Sequence, residues 1–173
     1  MSSDAITDIL RDVLKREGWP TYTEHPQDRG GPTKGGITMR TLTQWRQRPC
    51  TRKELQKLDQ REALQILERR YVESNGIHRL TGTLQEQVID NAVLSGPQLA
   101  VKDLQRSLNR SDVVVDGIIG PVTLGAIEQL GADKVERSLA VERALRLAAF
   151  VQKNPEQIVF LVGWLRRVLS FIR

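Results

Sequence analysis

A carboxyl side chain and a glycine-rich stretch stand side by side near the start of the chain. Glu17 follows an apolar helical pattern, and the segment 18–37 holds five glycines and three prolines. A carboxyl at a helix end that is partly walled by nonpolar side chains has a raised pKa, which suits a general acid near neutral pH. The pattern therefore predicts either a general acid beside a binding loop or an ordinary solvated charge at a helix end.

The glycine-rich segment carries further polar candidates. Asp28 and Thr33 lie within it beside Gly30 and Gly31, and Tyr22 adds an aromatic side chain. Glycines let the backbone approach a ligand closely. Loops of this length are uncommon in compact domains unless they have a function. We expect a structured active loop or a small hairpin.

The elements that position this segment have a helical pattern. Apolar residues recur at three and four positions, and the alternation typical of strands is scarce, which predicts an all-α fold. Helices are expected at 4–16, 38–47, 51–71 with a break near Asp59, 84–94, 98–108, 121–130, 134–152 and 155–172. Thr38 is a predicted N-cap, and Thr51 with Glu54 has the spacing of a capping box.

Composition excludes several classes of protein. One cysteine and two histidines allow neither an internal disulfide nor a zinc site of ordinary ligand count, so no metal is expected. The most apolar stretch, 157–165, is far short of the ~20 residues that cross a bilayer. The first 18 residues have acidic side chains among the apolar ones and lack the features of a Sec signal, so we expect synthesis in the cytoplasm without one.

The net charge of +5 is unevenly placed. Residues 134–173 hold eight Lys and Arg against three Glu, and the rest of the chain is balanced. This asymmetry predicts either an anionic partner or solvated helix faces, with Arg143, Arg146 and Lys153 as exposed cations. Because no aromatic residues are interleaved with a basic stripe and no DNA-reading motif is present, no nucleic-acid partner is expected.

Several blocks of the sequence, taken in order, resemble glycoside hydrolase family 108, the muramidases of phage and bacterial autolysin type. That family opens with E-G-G, a polar stretch and D-x-G-G-x-T-x-x-G-I, which Glu17-Gly18 and the run 28–37 match. Trp19 replaces the second glycine, and the gap between the two parts is about two residues longer than usual. The further blocks are 90–97, 115–124 and 163–168, so the resemblance spans residues 14–168.

The resemblance implies a lysozyme-like helical domain that hydrolyses the β-1,4 bond between N-acetylmuramic acid and N-acetylglucosamine without a cofactor. Glu17 would be the acid, Asp28 the partner or stabiliser, and Thr33 would position the attacking water. The longer gap makes Glu24 an alternative second carboxylate. Whether the reaction inverts or retains configuration depends on the separation of the two carboxyls and stays open. The implied regions are a muramidase region at 1–95 and a helical peptidoglycan-binding region at 96–173, packed on it.

Residue types and charge placement indicate further binding residues. Tyr22, Gly30 and Gly31 are expected to contact the sugar. Asp90 and Asn91 are expected either to contact the sugar too or to form a buried polar pair that satisfies neighbouring backbone. The wall-binding candidates are Asp116, Arg143 and Arg146, the first of which lies in a D-G-x-x-G-P-x-T pattern that resembles helical peptidoglycan-binding modules.

The implied partner is bacterial peptidoglycan, bound by a monomer that acts in the periplasm or cell wall after release through a holin, as a phage endolysin would. The alternative is a non-catalytic peptidoglycan-binding or localisation module of the same fold. The segment 158–172 has the pattern of an amphipathic helix. We expect it to cover a core, the alternative being contact with an anionic membrane or with lipopolysaccharide.

Overall fold

A computed structural model describes residues 3–24 and 31–172 of the 173-residue chain. The chain forms two compact units, Met1–Arg70 and Tyr71–Arg173. The prediction of an all-α fold is confirmed, since the strands of the described residues form only one small sheet. The region boundary expected at 95/96 falls within the second unit and stays a prediction.

In the part of the first unit that the structure describes, the elements are four helices and the sheet. The helices are α1 (Ser3–Arg16), α2 (Met39–Arg46), α3 (Arg52–Gln56) and α4 (Gln60–Glu68). α1 packs against α4, and the buried apolar side chains of the unit include Leu10, Leu14, Leu42, Leu55 and Ile66.

Local capping signals fix where these helices begin. Thr38 caps α2 by accepting a hydrogen bond from the Thr41 N–H, and Thr51 and Glu54 form the full capping box of α3. The expected break near Asp59 is confirmed, because Asp59 itself caps α4. Side chains that satisfy free N–H groups at a helix start thus set the boundaries as predicted.

The glycine-rich segment forms a small antiparallel sheet, one of its two predicted forms. Its strands are β1 (Tyr22–Thr23), β2 (Thr33–Lys34) and β3 (Ile37–Thr38), in the order β1-β2-β3. Gly35 and Gly36 join β2 to β3 with φ angles of 53° and 76°. Two successive positive φ angles are typical of the tightest hairpin turns and favour glycine at both positions.

Helices also build the second unit. A π-helical turn (Arg69–Glu73) and a 3₁₀ segment (Ser74–Arg79) precede α5 (Gly82–Ser95), α6 (Pro97–Ser107), α7 (Pro121–Leu130), α8 (Ala132–Lys153), a 3₁₀ turn (Pro155–Gln157) and α9 (Ile158–Leu169). α6 packs against α5 and α8, and α8 also packs against α9. Pro97 and Pro121 each occupy a helix start, where the missing N–H costs nothing.

The last helix forms as predicted but is not covered as expected. Val168 is buried, whereas Ile158, Val162 and Leu169 of the same apolar stripe are exposed. The expectation that this stripe covers a core is therefore wrong at Ile158, Val162 and Leu169. Within the described residues, no helix combines the length and the apolar character that crossing a membrane requires.

Candidate functional site

The end of α1 places Glu17 at the edge of the sheet. The Glu17 N–H still donates to the Val13 carbonyl at 2.9 Å, and the Trp19 N–H turns back to the Leu14 carbonyl at 3.0 Å. Gly18 between them has a φ of 79°, the left-handed conformation that ends many helices. The chain therefore leaves the helix immediately after the candidate acid.

The glycine turn between β2 and β3 lies directly against this helix end. A Cβ atom on Gly36 would lie 3.2 Å from the Glu17 Oε2 atom, and one on Gly35 would lie 2.6 Å from Trp19 Cε3. Only glycine allows this close approach. Glu17 is exposed, so the described residues do not form the nonpolar walls that we expected around its carboxyl.

Three threonines share one rung of the sheet. Thr33 pairs with Thr23 on one side and with Thr38 on the other, and the Thr33 and Thr23 hydroxyl oxygens are 2.8 Å apart. The neighbouring Lys34 ammonium donates to the carbonyls of Gln56 and Leu58 at 2.6 and 2.8 Å. These bonds hold the hairpin, and with it the Thr33 hydroxyl, in one position.

Tyr22 and Glu24 are joined to each other. The Tyr22 hydroxyl donates to Glu24 Oε2 at 2.7 Å, and Arg52 Nε lies 2.9 Å from Glu24 Oε1. The pKa of Tyr22 is raised, chiefly because its proton is held by the Glu24 carboxylate. Glu24 is thus a positioned carboxylate at the end of β1.

Two of the predicted site residues, Asp28 and Gly30, lie outside the described residues. Gly31 is described, with a φ of 70° and open space where a side chain would be. The structure therefore places Glu17, Tyr22, Gly31 and Thr33 on the helix end and the hairpin.

Sequence reasoning missed a polar groove in the same unit. A cavity of about 690 Å³ adjoins the threonine rung at Thr38 and is lined by Thr38, Arg40, Thr41, Gln44, Trp45, Gln47, Ile66, Arg69 and Arg70. Glu17 is not among the lining residues. The hydrogen-bond donors of the groove suit hydroxyl, acetamide and carboxylate groups of a ligand. The signal in the sequence was the polar face that Thr41, Gln44 and Trp45 make at helical spacing.

In the second unit, Asp90 and Arg143 form a buried ion pair. Arg143 Nη2 donates to Asp90 Oδ2 at 2.7 Å, its side chain is 1% exposed, and Arg167 Nη2 lies 2.6 Å from the other carboxylate oxygen. Burial lowers the pKa of Arg143. The expectation that Arg143 is an exposed, wall-facing cation is wrong. Asp90 is buried and pairs with these two arginines, and sugar contact by Asp90 stays a prediction.

Arg146 and Asn91 belong to a second group of hydrogen bonds, which centres on Asp103. Arg146 donates from Nε to Asp103 Oδ2 at 2.7 Å and from Nη2 to Asn91 Oδ1 at 2.9 Å. Asn91 in turn donates to Asp103, and so does Arg106. We call the group of Asp90, Asp103, Arg106, Arg143, Arg146 and Arg167 the ionic cluster. Asp103 was not predicted, although a carboxylate among the buried positions of α6 is an unusual feature.

A pocket of about 400 Å³ opens beside the ionic cluster. Its polar lining includes Asn91, Ser95 and Arg146, and its apolar lining includes Phe150 and Trp164. Wall binding through Arg146, which is only half-buried, stays a prediction, as does sugar contact by Asn91.

Asp116 stabilises a turn. Its Oδ1 atom accepts from the Ile118 N–H and from Gln105 Nε2, both at 2.8 Å. The hydrogen bond from Gln105 is the main reason that the pKa of Asp116 is lowered. These contacts explain the aspartate of the D-G-x-x-G-P pattern structurally, and its role in wall binding stays a prediction.

Comparisons with known proteins give two family matches and one similar solved structure. The Glycosyl hydrolase 108 family model matches residues 10–96, which include the helix end, the hairpin and the groove. A model described as Predicted Peptidoglycan domain matches residues 99–169. The chain is similar to the solved structure titled "Structure of Brucella abortus SagA", with 29% identity, a TM-score of 0.74, and coverage of 99% of this chain and 98% of that chain. No curated protein matches it.

Proposed function

Because this chain belongs to the glycosyl hydrolase 108 family, we propose that it is an N-acetylmuramidase. It would hydrolyse the β-1,4 bond between N-acetylmuramic acid and N-acetylglucosamine. The family indicates a glycoside hydrolase, and the peptidoglycan match indicates peptidoglycan as its partner. The observation that carries the finer proposal is the exposed Glu17 carboxyl at the end of α1, held against the glycine turn at Gly36.

In the proposed reaction, Glu17 protonates the glycosidic oxygen as the bond to the leaving sugar breaks. A second carboxylate stabilises the positive charge that develops on the ring, and the Thr33 hydroxyl positions the attacking water. Asp28 and Glu24 are the two candidates for that carboxylate. One observation favours Glu24 as this carboxylate: contacts with Tyr22 and Arg52 hold its side chain in place. The separation of the two carboxyls decides between inversion and retention.

The groove beyond Thr38 offers a path for the glycan strand. Trp45 gives an apolar face for a sugar ring, and Arg40, Arg69 and Arg70 supply positive charge for the carboxylates of the stem peptide. Since the substrate is cell-wall material, the proposed place of action is the periplasm or the wall itself.

A second candidate is a non-catalytic peptidoglycan-binding module. It is favoured by one observation: Glu17 is not among the residues that line the polar groove, so a glycan bound in the groove need not contact the candidate acid. The two candidates differ in whether a cleaved product forms.

Purified sacculi provide the test. The enzyme should clear a suspension of sacculi, and borohydride reduction of the products should label N-acetylmuramic acid as muramitol. Sedimentation with sacculi in the absence of clearing would establish the binding module. Labelled glucosaminitol, or new amino groups from cut peptides, would assign a different bond and contradict the proposal.

A further inference from the structure

The outer face of α9 is apolar and uncovered. Ile158, Val159, Val162 and Leu169 are all more than half exposed, with Val159 at 74%. At 3.6 residues per turn these four side chains lie on one side of the helix, opposite the buried Val168. Exposed apolar faces of this extent mark surfaces that bind a partner. We call this side of α9 the apolar face.

The charged side chain that α9 places on the apolar face is positive. α9 contains no acidic residue, and the exposed Arg166 lies on the same side of the helix, between Val159 and Leu169. Lys153, also exposed, is the last residue of α8, and the turn that follows it leads into α9. Arg167 differs, because it is held by Asp90 at 2.6 Å. Glu156 is the acidic residue of the connecting turn.

These charges decide which partner fits. In a twofold dimer that paired two apolar faces, α9 would supply no carboxylate to pair the two Arg166 side chains, since it contains no acidic residue. These charges would lose water without compensation. An anionic lipid surface instead supplies phosphate groups at the depth where an arginine reaches out from an apolar helix face. The twelve residues of α9 span about 18 Å, which suits a helix that lies in the plane of the surface.

We infer that α9 docks the protein on anionic phospholipid membranes. Ile158, Val162 and Leu169 enter the boundary of the acyl chains, and Arg166 and Lys153 contact lipid phosphates. This inference is independent of the proposed bond cleavage. It assigns a membrane surface as a second partner, beside the wall.

Flotation with vesicles tests the docking. The full-length protein should float with vesicles of phosphatidylglycerol and phosphatidylcholine, and far less with phosphatidylcholine alone. Val159→Glu should weaken binding to the anionic vesicles by about tenfold or more, because it brings a carboxylate to the lipid boundary. Val114→Glu is the matched control, since Val114 is 73% exposed in the turn segment that precedes α7. This control should bind like the parent.

Arg166→Gln separates charge from apolar contact. This variant should bind anionic vesicles about fivefold more weakly than the parent, because that is the contribution of one basic side chain near an anionic surface. The difference in affinity between parent and variant should shrink as the salt concentration rises. Equal binding to both kinds of vesicle, or equal losses for Val159→Glu and Val114→Glu, would overturn the inference. So would a dimer in sedimentation velocity that Val159→Glu dissociates, because a second copy would then cover the face. Clearing of sacculi should be unchanged in all three variants.

Discussion

The hairpin of the first unit and the ionic cluster of the second use charged side chains in opposite ways. At the hairpin, Glu17 is exposed beside a glycine turn, and no described residue donates a hydrogen bond to its carboxylate. In the ionic cluster, Asp90 is buried and both of its oxygens accept from arginines. A carboxylate open to solvent can act on a ligand, whereas a buried one that is fully paired holds helices together.

This difference shows why residue type alone is a poor guide to function. Asp90 and Glu17 were both candidates for the site, and so was Arg143, the buried partner of Asp90. Removing one partner of a buried pair leaves an uncompensated charge, so the cluster should respond in stability. The hairpin should respond in activity. The following experiments test this division, beginning with the largest expected effect.

Glu17→Gln should abolish most of the activity and leave the fold intact. Loss of a general acid lowers the rate by roughly 10²–10⁴-fold, and the exposed side chain contributes little to packing. The measurements are the initial rate of sacculus clearing and the midpoint of thermal unfolding. Glu68→Gln, at the exposed end of α4, is the control and should match the parent in both. Parental clearing by the Glu17 variant would remove Glu17 from the mechanism.

Asp90→Asn should lower stability, whereas Glu17→Gln should lower activity. Leaving Arg143 buried without its counter-ion costs about 3–5 kcal/mol in the free energy of unfolding, measured by urea titration. Asp112→Asn is the matched control, because Asp112 forms an exposed pair with Arg110 at 2.7 Å and should cost at most about 1 kcal/mol.

A double-mutant cycle sharpens the comparison within the cluster. The double variant Asp90→Asn, Arg143→Gln should lose less free energy of unfolding than the sum of the losses in the two single variants. The reason is that Arg143→Gln removes the charge that Asp90→Asn leaves unpaired. Additive costs, or a stability change for Asp90→Asn no greater than for Asp112→Asn, would show that the cluster is not the structural element described above.

Changes in the groove should affect substrate binding more than turnover. Arg40→Gln removes one exposed charge, and Trp45→Phe trims the aromatic wall without emptying it. Each should raise the apparent KM for sacculi by about two- to tenfold, with little change in kcat. Arg61→Gln, exposed on α4 and not a lining residue, should leave both constants unchanged. A fall in kcat with constant KM would place the groove residues at the reacting atoms instead.

The sequence allowed the helix boundaries to be predicted well because their signals are local. Thr51 and Glu54 are three residues apart, and Pro121 begins α7 as expected. The ionic cluster could not be predicted in this way, since Arg143 and Asp90 are 53 residues apart and only packing brings them together. Periodicity likewise predicted the apolar stripe of α9, but it carries no information about what covers that stripe. At the hairpin, composition indicated glycine turns, whereas the contact between Gly36 and Glu17 required the structure.

The smallest expected effect concerns a charge of the first unit that, unlike Glu17, is paired at the surface. Glu54 accepts hydrogen bonds from Arg48 and from the Thr51 N–H, which lower its pKa to about 2. A pKa that is lower in the folded state means that the ionised carboxylate favours folding. This contribution is complete above the ordinary value of 4.5 and is lost as the pH falls towards 2.

Glu54→Gln should therefore lower the Tm by about 1–2 °C at pH 7, as for an exposed pair. The difference in Tm between parent and variant should narrow steadily below pH 4.5. Glu68→Gln again serves as control, and a difference that stayed constant down to pH 2 would show that Glu54 acts through packing and not through its charge.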